Sequence, residues 1–289
     1  MDLNFLFNDP QEWNIEEGCY VKKSSQKVLT SYSSEMQNDY FGIEDSSWWF
    51  QYRSEVVNKI VDKVLDNPAF IIDIGGGNGY TTKKLQDSGY EVMLMEPATQ
   101  ACLNAKKRGL QNVICGTINQ NDFNDNSIAA CCMLDVLEHI ENDIEFLQMV
   151  KRKLTTKGYL LITVPAFTSL WSSEDEAVGH YRRYTKKEIQ SLLEKLGYKI
   201  VYANYFFNFL YIPIFFVRRL GEKIGLMKKY QKRNESEKNN VLKQQHTEQK
   251  KITKFVLNLF EKVELRRLLR NKKIRFGSSV IIVAQKNEK

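Results

Sequence analysis

Apolar positions along the chain first fall into register in SSWWFQYRSEVVNKIVDKVL. Val56, Ile60 and Val64 there keep helical spacing, which predicts a helix. AFIID then reads as a strand, YTTKKLQDSG as a helix ended by Gly89, and YEVMLME as a second strand. TQACLNAKKRGL predicts a helix, NVIC a short strand and SIAACCML a buried strand. In DIEFLQMVKRKL, Ile144, Leu147, Val150 and Leu154 lie roughly on one helical face, and Gly158 is expected to stop that helix before strand YLLITV. Thr185 and Glu188 form a capping box that opens KKEIQSLLEKLG, and YKIVYANYF is a further strand. Strand and helix alternate from roughly residue 55 to residue 206, which predicts βαβ units and a parallel sheet covered on both faces.

Both ends break the alternation. Residues 1–46 are mixed and polar and read as an N-terminal extension. After YANYF, about seventy residues intervene before SSVIIVAQK, a strand at the extreme C-terminus. The expected division is therefore 1–46 extension, 47–206 core, 207–274 helical insertion and 275–289 final core strand. The insertion opens in the uncharged run Val201 to Val217, which contains Asn208 and Pro213 and is too short to span a bilayer comfortably. KKYQKRNESEKNNVLKQQHTEQKK is poor in apolar anchors and reads as a flexible connector or a solvated helix. ITKFVLNLFEKVELRRLL is amphipathic, with Ile252, Phe255, Val256, Leu259 and Val263 on one face.

Charge sharpens the picture of the insertion. The net charge of +7 is unevenly spread: Arg218 to Arg275 holds 19 Lys/Arg against 6 Glu, so the rest of the chain is slightly acidic. A basic segment beside an aromatic run suits an interfacial anchor at an anionic lipid surface, through residues 207–233; the alternative is a lid or dimer helix packed on the core. Nucleic acid is the less favoured partner, because the segment carries no recognisable reading module. The five cysteines include no C-x-x-C and give no zinc pattern, so reduced thiols in a cytoplasmic protein are expected and no metal ligand is assigned. MDLNFLFNDPQEW lacks the basic-then-apolar order of a secretory signal.

The candidate chemistry begins at IIDIGGGNGY. A phosphate loop would need a second glycine where Tyr80 stands and a lysine after it, so that ligand is excluded. A dinucleotide fingerprint started at Gly75 and Gly77 puts its third glycine at Tyr80, and started at Gly77 and Gly79 puts it at Thr82. The pattern that fits is acid-x-G-x-G-x-G: Asp73, Gly75, Gly77, Gly79, with Gly76 in the same loop. An acid at the end of the second strand, Glu96, follows 21 residues after Gly75, where a carboxylate can accept both ribose hydroxyls; the alternative is a solvated strand-end glutamate.

In these residues the chain resembles the class I S-adenosylmethionine-dependent methyltransferases. NDFNDNSIAACCMLDVLEHI resembles that family's fourth-strand pattern, with Leu134, Asp135, Glu138 and His139 in matching places. VPAFTSLWSSEDEAVGHYRRYT resembles a bacterial branch near the quinone-biosynthesis and small-molecule methyltransferases. The resemblance spans about residues 48 to 206 and the last strand. It implies a doubly wound, seven-stranded, mostly parallel α/β sheet of Rossmann-like methyltransferase type, with the insertion before the last strand. The implied cofactor is S-adenosyl-L-methionine, leaving as S-adenosyl-L-homocysteine, and the implied acceptor is a small or lipid-like molecule.

The same resemblance distributes the roles. Asp73 faces the cofactor's ammonium group and Glu96 its ribose hydroxyls, Arg53 lies near its methionine carboxylate, and Leu134 and Asp135 are cofactor-binding residues. The family's adenine-binding aspartate is replaced by Thr117, so Thr117, Asn119 or Asp122 and the backbone N–H of Ile118 are the adenine candidates. His139 and His180 are candidate bases for a hydroxyl acceptor, or else hydrogen-bonded loop histidines. Trp171, Tyr181, Arg182 and Arg183 should face the acceptor, where the arginines either clamp an anion or pair with the acids of SSEDE. Trp48, Trp49 and Phe50 either close over the cofactor or pack in the core. Two rivals remain: a nicotinamide oxidoreductase, opposed by a Tyr80-to-Lys84 pair inside the glycine-loop helix, and a non-catalytic cofactor-binding or membrane scaffold, supported by Thr117 alone.

Overall fold

The computed structural model describes residues 5–23, 33–65, 70–119, 122–223 and 251–287. Seven strands fall where apolar runs predict them: β3 (Ile71–Ile74), β4 (Val92–Glu96), β5 (Asn112–Cys115), β6 (Ile128–Leu134), β7 (Leu154–Pro165), β8 (Tyr198–Phe206) and β9 (Ser279–Lys286). Two more precede them, β1 (Trp13–Glu16) and β2 (Cys19–Lys22). Among the described residues the sheet thus has nine strands, in the order β1-β2-β5-β4-β3-β6-β7-β9-β8. From β2 to β7 the pairings are parallel, and β9 runs antiparallel between β7 and β8. Residues 71–74 and 92–96 are buried throughout, as strands covered on both faces require.

The expectation of seven strands is corrected by the N-terminal hairpin. β1 and β2 join through Glu17 and Gly18, both at positive φ, which is the backbone of a two-residue turn that follows the twist of a hairpin. β2 then extends the sheet beyond β5. β1 is largely exposed, so it carries no clean alternation of apolar and polar positions to betray it.

Helices cover the sheet: α1 (Ser34–Glu44), α2 (Trp48–Val64), α3 (Tyr80–Asp87), α4 (Thr99–Lys107), α5 (Asp143–Lys153), α6 (Ser173–Ala177), α7 (Lys186–Lys195), α8 (Asn208–Lys223) and α9 (Lys251–Leu269). Gly158 does not stop α5. That helix ends at Lys153, the chain enters β7 at once, and Gly158 sits inside the strand after Lys157 at positive φ, where the pairing with β6 slips.

The insertion is helical at both described ends. The Val201–Val217 run divides at Phe207: its first part is β8 and the remainder enters α8, with Pro213 inside the helix. α9 is a helix, as its periodicity predicts, but at Leu259 and Val263 the expected apolar face is not the packed one. Leu259 and Val263 are 58% and 49% exposed, while Glu264 and Leu268 are buried. Glu264 accepts from the Tyr52 hydroxyl at 2.7 Å, from the Phe207 N–H at 2.9 Å and from the Asn208 N–H at 2.7 Å. One carboxylate therefore ties α9 to α2 and to the start of α8. The connector at residues 228–250, His246 included, lies outside the described residues, as does part of the 207–233 stretch. No helix among the described residues is long and apolar enough to cross a membrane.

Candidate active site

The glycine loop leaves β3 at its carboxyl end, where ligands bind in sheets of this topology. The Gly75 N–H donates to the Met95 carbonyl at 2.7 Å, which folds the loop back over β4. Gly75 has φ +71°, and a Cβ there would lie 2.7 Å from the Val136 side chain. Gly79 caps α3 at φ +77°, where a Cβ would sit 2.5 Å from Leu110. Glycine is required at both positions by conformation and by space.

Two acids line this loop. Asp73 is buried, and its Oδ2 accepts from the Thr82 hydroxyl at 2.5 Å. Its Oδ1 is also buried and has no partner among the described residues. Burial pushes the Asp73 pKa up to about 6, against the smaller opposing effects of Thr82 and Arg53. Glu96 accepts the Gly77 N–H at 3.1 Å on Oε2 and the Ala98 N–H at 2.9 Å on Oε1. Desolvation outweighs both bonds and raises its pKa to about 7. Each Glu96 oxygen retains capacity for a further donor.

Sequence reasoning passed over α1. The Asn78 amide, inside the glycine loop, donates to the Gln37 carbonyl at 3.1 Å and to Glu44 at 3.0 Å. Arg108 of the α4 end pairs with Glu44 at 2.7 Å and Asp45 at 2.8 Å and stacks over Phe41 and Tyr80. α1 is thereby pinned across the loop. The Ser33 cap was the local signal for this helix; its weak amphipathicity concealed it.

The end of β6 brings Arg53, Leu134 and Asp135 together. Asp135, at φ +58°, accepts from the Thr163 hydroxyl at 3.1 Å and pairs with Arg53 Nη1 at 2.8 Å. Arg53 lies 5.0 Å from the Trp49 ring centre, and its buried Nε has no partner among the described residues. Trp49 stacks on Phe207, and Trp48 packs against Tyr52, Phe207 and Phe209, so these rings join α2 to the end of β8. Phe50 packs edge-on to Trp49 and Tyr80. Of the residues after β5, Thr117 is exposed and Ile118 buried. Asp122 is engaged by Lys22 of the hairpin and by Asn119, each at 2.5 Å.

The loop after β7 folds onto the turn after β6, with the Tyr181 N–H donating to the Glu138 carbonyl at 2.8 Å. His180 Nδ1 meets Asp175 Oδ1 at 2.8 Å, and Arg183 Nε donates to the same oxygen at 2.8 Å. Arg182 pairs with Asp143 at 2.9 Å. Both arginines therefore already hold a protein carboxylate, and Asp175 belongs to the SSEDE stretch. Trp171 reaches Glu176 at 3.4 Å, and Tyr181 is exposed. His139 stands edge-on to His180 with ring centres 4.6 Å apart, and burial, then His180, push its pKa down to about 4.

A sheet of this order with an acid–glycine loop after the central strand β3 defines the class I methyltransferase fold. Residues 49–203, more than half of the chain, match a family described as "Methyltransferase domain", and the chain belongs to that family. The acid–glycine loop that led us to expect this family lies within the matched residues. A search of curated proteins returns no match. Among solved structures, phosphoethanolamine N-methyltransferase 2 of Haemonchus contortus, in complex with phosphomonomethylethanolamine and S-adenosylhomocysteine, superposes at TM-score 0.52 with 16% identity. That match covers 90% of this chain but only 59% of the Haemonchus protein. A putative methyltransferase of Haloferax volcanii, solved with its Trm112 activator, gives TM-score 0.53 at 13% identity over 87% of this chain and 94% of that one. The [4+2]-cyclase SpnF gives 0.51 at 14% identity, over 91% and 99%. Likeness at these identities establishes the fold and leaves the acceptor open.

Proposed function

We propose that this chain transfers the methyl group of S-adenosylmethionine to a small-molecule or lipid-like acceptor held over the carboxyl ends of β6 and β7. The observation that carries the reading is a matched pair of orphaned groups, Asp73 Oδ1 and Arg53 Nε, both buried beside the glycine loop. One is an acceptor and the other a donor. The ammonium and carboxylate of an amino-acid moiety satisfy both with charge-assisted bonds. Glu96 has capacity left for the ribose hydroxyls, and the backbone of Ile118 with Thr117 borders the adenine. When bound, the sulfonium supplies a methyl group already activated for displacement. The chain contributes alignment and exclusion of water, and alignment alone can supply on the order of 7 kcal/mol.

Thermal shift tests the cofactor reading. S-adenosylhomocysteine at about one hundred times its Kd should stabilise the protein by roughly 2.7 kcal/mol, a clear rise in Tm, while NAD at the same concentration should leave Tm in place. A shift with NAD alone would assign the loop to a dinucleotide instead.

The lipid-like half of the proposal rests on exposed apolar side chains around the insertion: Ile212 and Phe216 on α8, Leu259 and Phe260 on α9, and Phe276. They adjoin the strongly basic segment, a combination suited to an anionic bilayer surface at the cytoplasmic face. The full chain should co-float with anionic vesicles, and Ile212→Asp with Phe216→Asp should abolish flotation. A wild-type protein that stays at the bottom of the gradient would restrict the acceptor to water-soluble molecules.

A further inference from the structure

We propose that Glu138, His139 and His180 form a site for a divalent transition-metal ion beside the carboxyl ends of β6 and β7. Sequence alone treats the two histidines separately, as candidate bases or hydrogen-bonded loop residues; the fold makes them neighbours, with ring centres 4.6 Å apart. Each of the three residues offers one ligand atom, and these atoms all lie within 4.8 Å of one another.

The second observation is Glu138 itself. It is 1% exposed, and neither carboxylate oxygen has a hydrogen-bond partner among the described residues. A buried carboxylate in that state is costly unless a cation or a proton neutralises it. Of the neighbouring arginines, Arg53 pairs with Asp135 through Nη1 and Arg183 with Asp175 through Nε, and neither hydrogen-bonds Glu138. His180 Nε2 stands 3.9 Å from Glu138 Oε1.

The surroundings of His180 are those of a metal ligand. Its Nδ1 meets Asp175 Oδ1 at 2.8 Å, which turns Nε2 toward Glu138. A carboxylate behind the far nitrogen fixes the tautomer and ring plane of ligating histidines. Asp175 is in turn held by the Ser172 N–H at 2.8 Å, the Ser172 hydroxyl at 3.2 Å and Arg183 Nε at 2.8 Å. Bonds of about 2.1 Å in a tetrahedral site put ligand atoms about 3.4 Å apart. Closing the 3.9 Å separation to that value takes a side-chain adjustment of about 0.5 Å, and the widest pair, at no more than 4.8 Å, needs at most about 1.4 Å.

Two imidazoles and one carboxylate favour Zn²⁺, Mn²⁺, Fe²⁺ or Co²⁺ over Mg²⁺ and Ca²⁺. Three protein ligands leave coordination positions open. The place of the site, at the ends of β6 and β7, assigns those positions to an oxygen of the acceptor. That role rests on the methyl-transfer reading; the metal site does not. A hydroxyl ligated there would lose its proton to solvent, and its oxygen lone pair would form the new C–O bond as the S–C electron pair returns to sulfur. The acceptor class this implies is an alcohol or phenol.

The test is a Co²⁺ titration of the chelator-stripped full chain, followed by its visible ligand-field absorption. The signal should saturate at one ion per chain and be displaced by Zn²⁺. His180→Ala and the isosteric Glu138→Gln should each weaken binding at least tenfold, and Asp175→Asn, which spares all three ligands, by about tenfold. No saturable signal in the wild type, or wild-type affinity in folded His180→Ala and Glu138→Gln, overturns the proposal. S-adenosylhomocysteine binding is measured by calorimetry on the same stripped protein. Nucleoside binding without a cobalt signal ends the metal proposal alone, and a cobalt signal without nucleoside binding ends the methyl-transfer reading alone.

Discussion

Asp73→Asn is expected to weaken S-adenosylhomocysteine binding by roughly 30- to 100-fold while leaving the fold intact. The cost on the binding side is the loss of a charge-assisted bond to an ammonium group, about 2–3 kcal/mol. The fold loses little because Asp73 Oδ1 has no partner among the described residues to leave behind, and an amide oxygen can still accept from Thr82. Calorimetry and a melting curve on the same variant separate the two effects. Equal affinity for variant and wild type would remove Asp73 from the cofactor site.

The same residue sets a pH dependence whose sign follows from its environment. Burial raises the Asp73 pKa to about 6 in the ligand-free protein. An ammonium partner favours the ionised form, so binding expels a proton wherever the free carboxyl still holds one. Affinity should therefore fall as pH drops through 6, by about tenfold between pH 7 and pH 5. Asp73→Asn should erase that step and leave a weaker one nearer pH 7 from Glu96. For stability the sign is the reverse of a salt-bridged acid. The folded-state pKa lies above the unfolded value, so the ligand-free protein loses stability as pH rises from about 4 to about 6. The Tm of Asp73→Asn above pH 7 should accordingly equal or exceed that of the wild type.

What could be read from the residues alone was whatever periodicity and local chemistry encode. The buried strands β3, β4 and β6 announce themselves as apolar runs, and the glycine spacing after β3 points to a cradle because no other residue tolerates Gly75 or Gly79. The exposed β1 and the weakly amphipathic α1 carry no such signal, although α1 closes over the loop through Glu44 and Arg108. Long-range pairing was also beyond reach. Nothing in the spacing of Glu138, His139 and His180 shows that the loop after β7 folds back onto the turn after β6. Side-chain partners decide the arginines in the same way: in sequence Arg182 and Arg183 read equally as an anion clamp or as partners of the SSEDE acids, and in the fold Arg183 meets Asp175 of that stretch while Arg182 meets Asp143.

The face of α9 is the clearest instance, and it leads to the largest expected loss of stability. The periodicity of the insertion points Leu259 and Val263 inward, but the helix turns Glu264 into the core instead. Glu264→Ala would strip acceptors from the Tyr52 hydroxyl and from the N–H groups of Phe207 and Asn208. Each buried donor left unsatisfied costs about 1–3 kcal/mol. The carboxylate offsets part of this in the wild type, since burial raises its own pKa and penalises its charge. A net loss of about 3 kcal/mol is expected, or roughly 5–10 °C in Tm for a domain of this size. Glu264→Gln keeps one acceptor oxygen but turns an amide N–H₂ toward a backbone donor, so it should recover only part of the loss. Leu259→Ala, on the exposed side of the same helix, should fall within about 0.5 kcal/mol of wild type. If instead Leu259→Ala were the damaging change and Glu264→Ala the silent one, the helix would pack by its apolar stripe, as periodicity alone suggests.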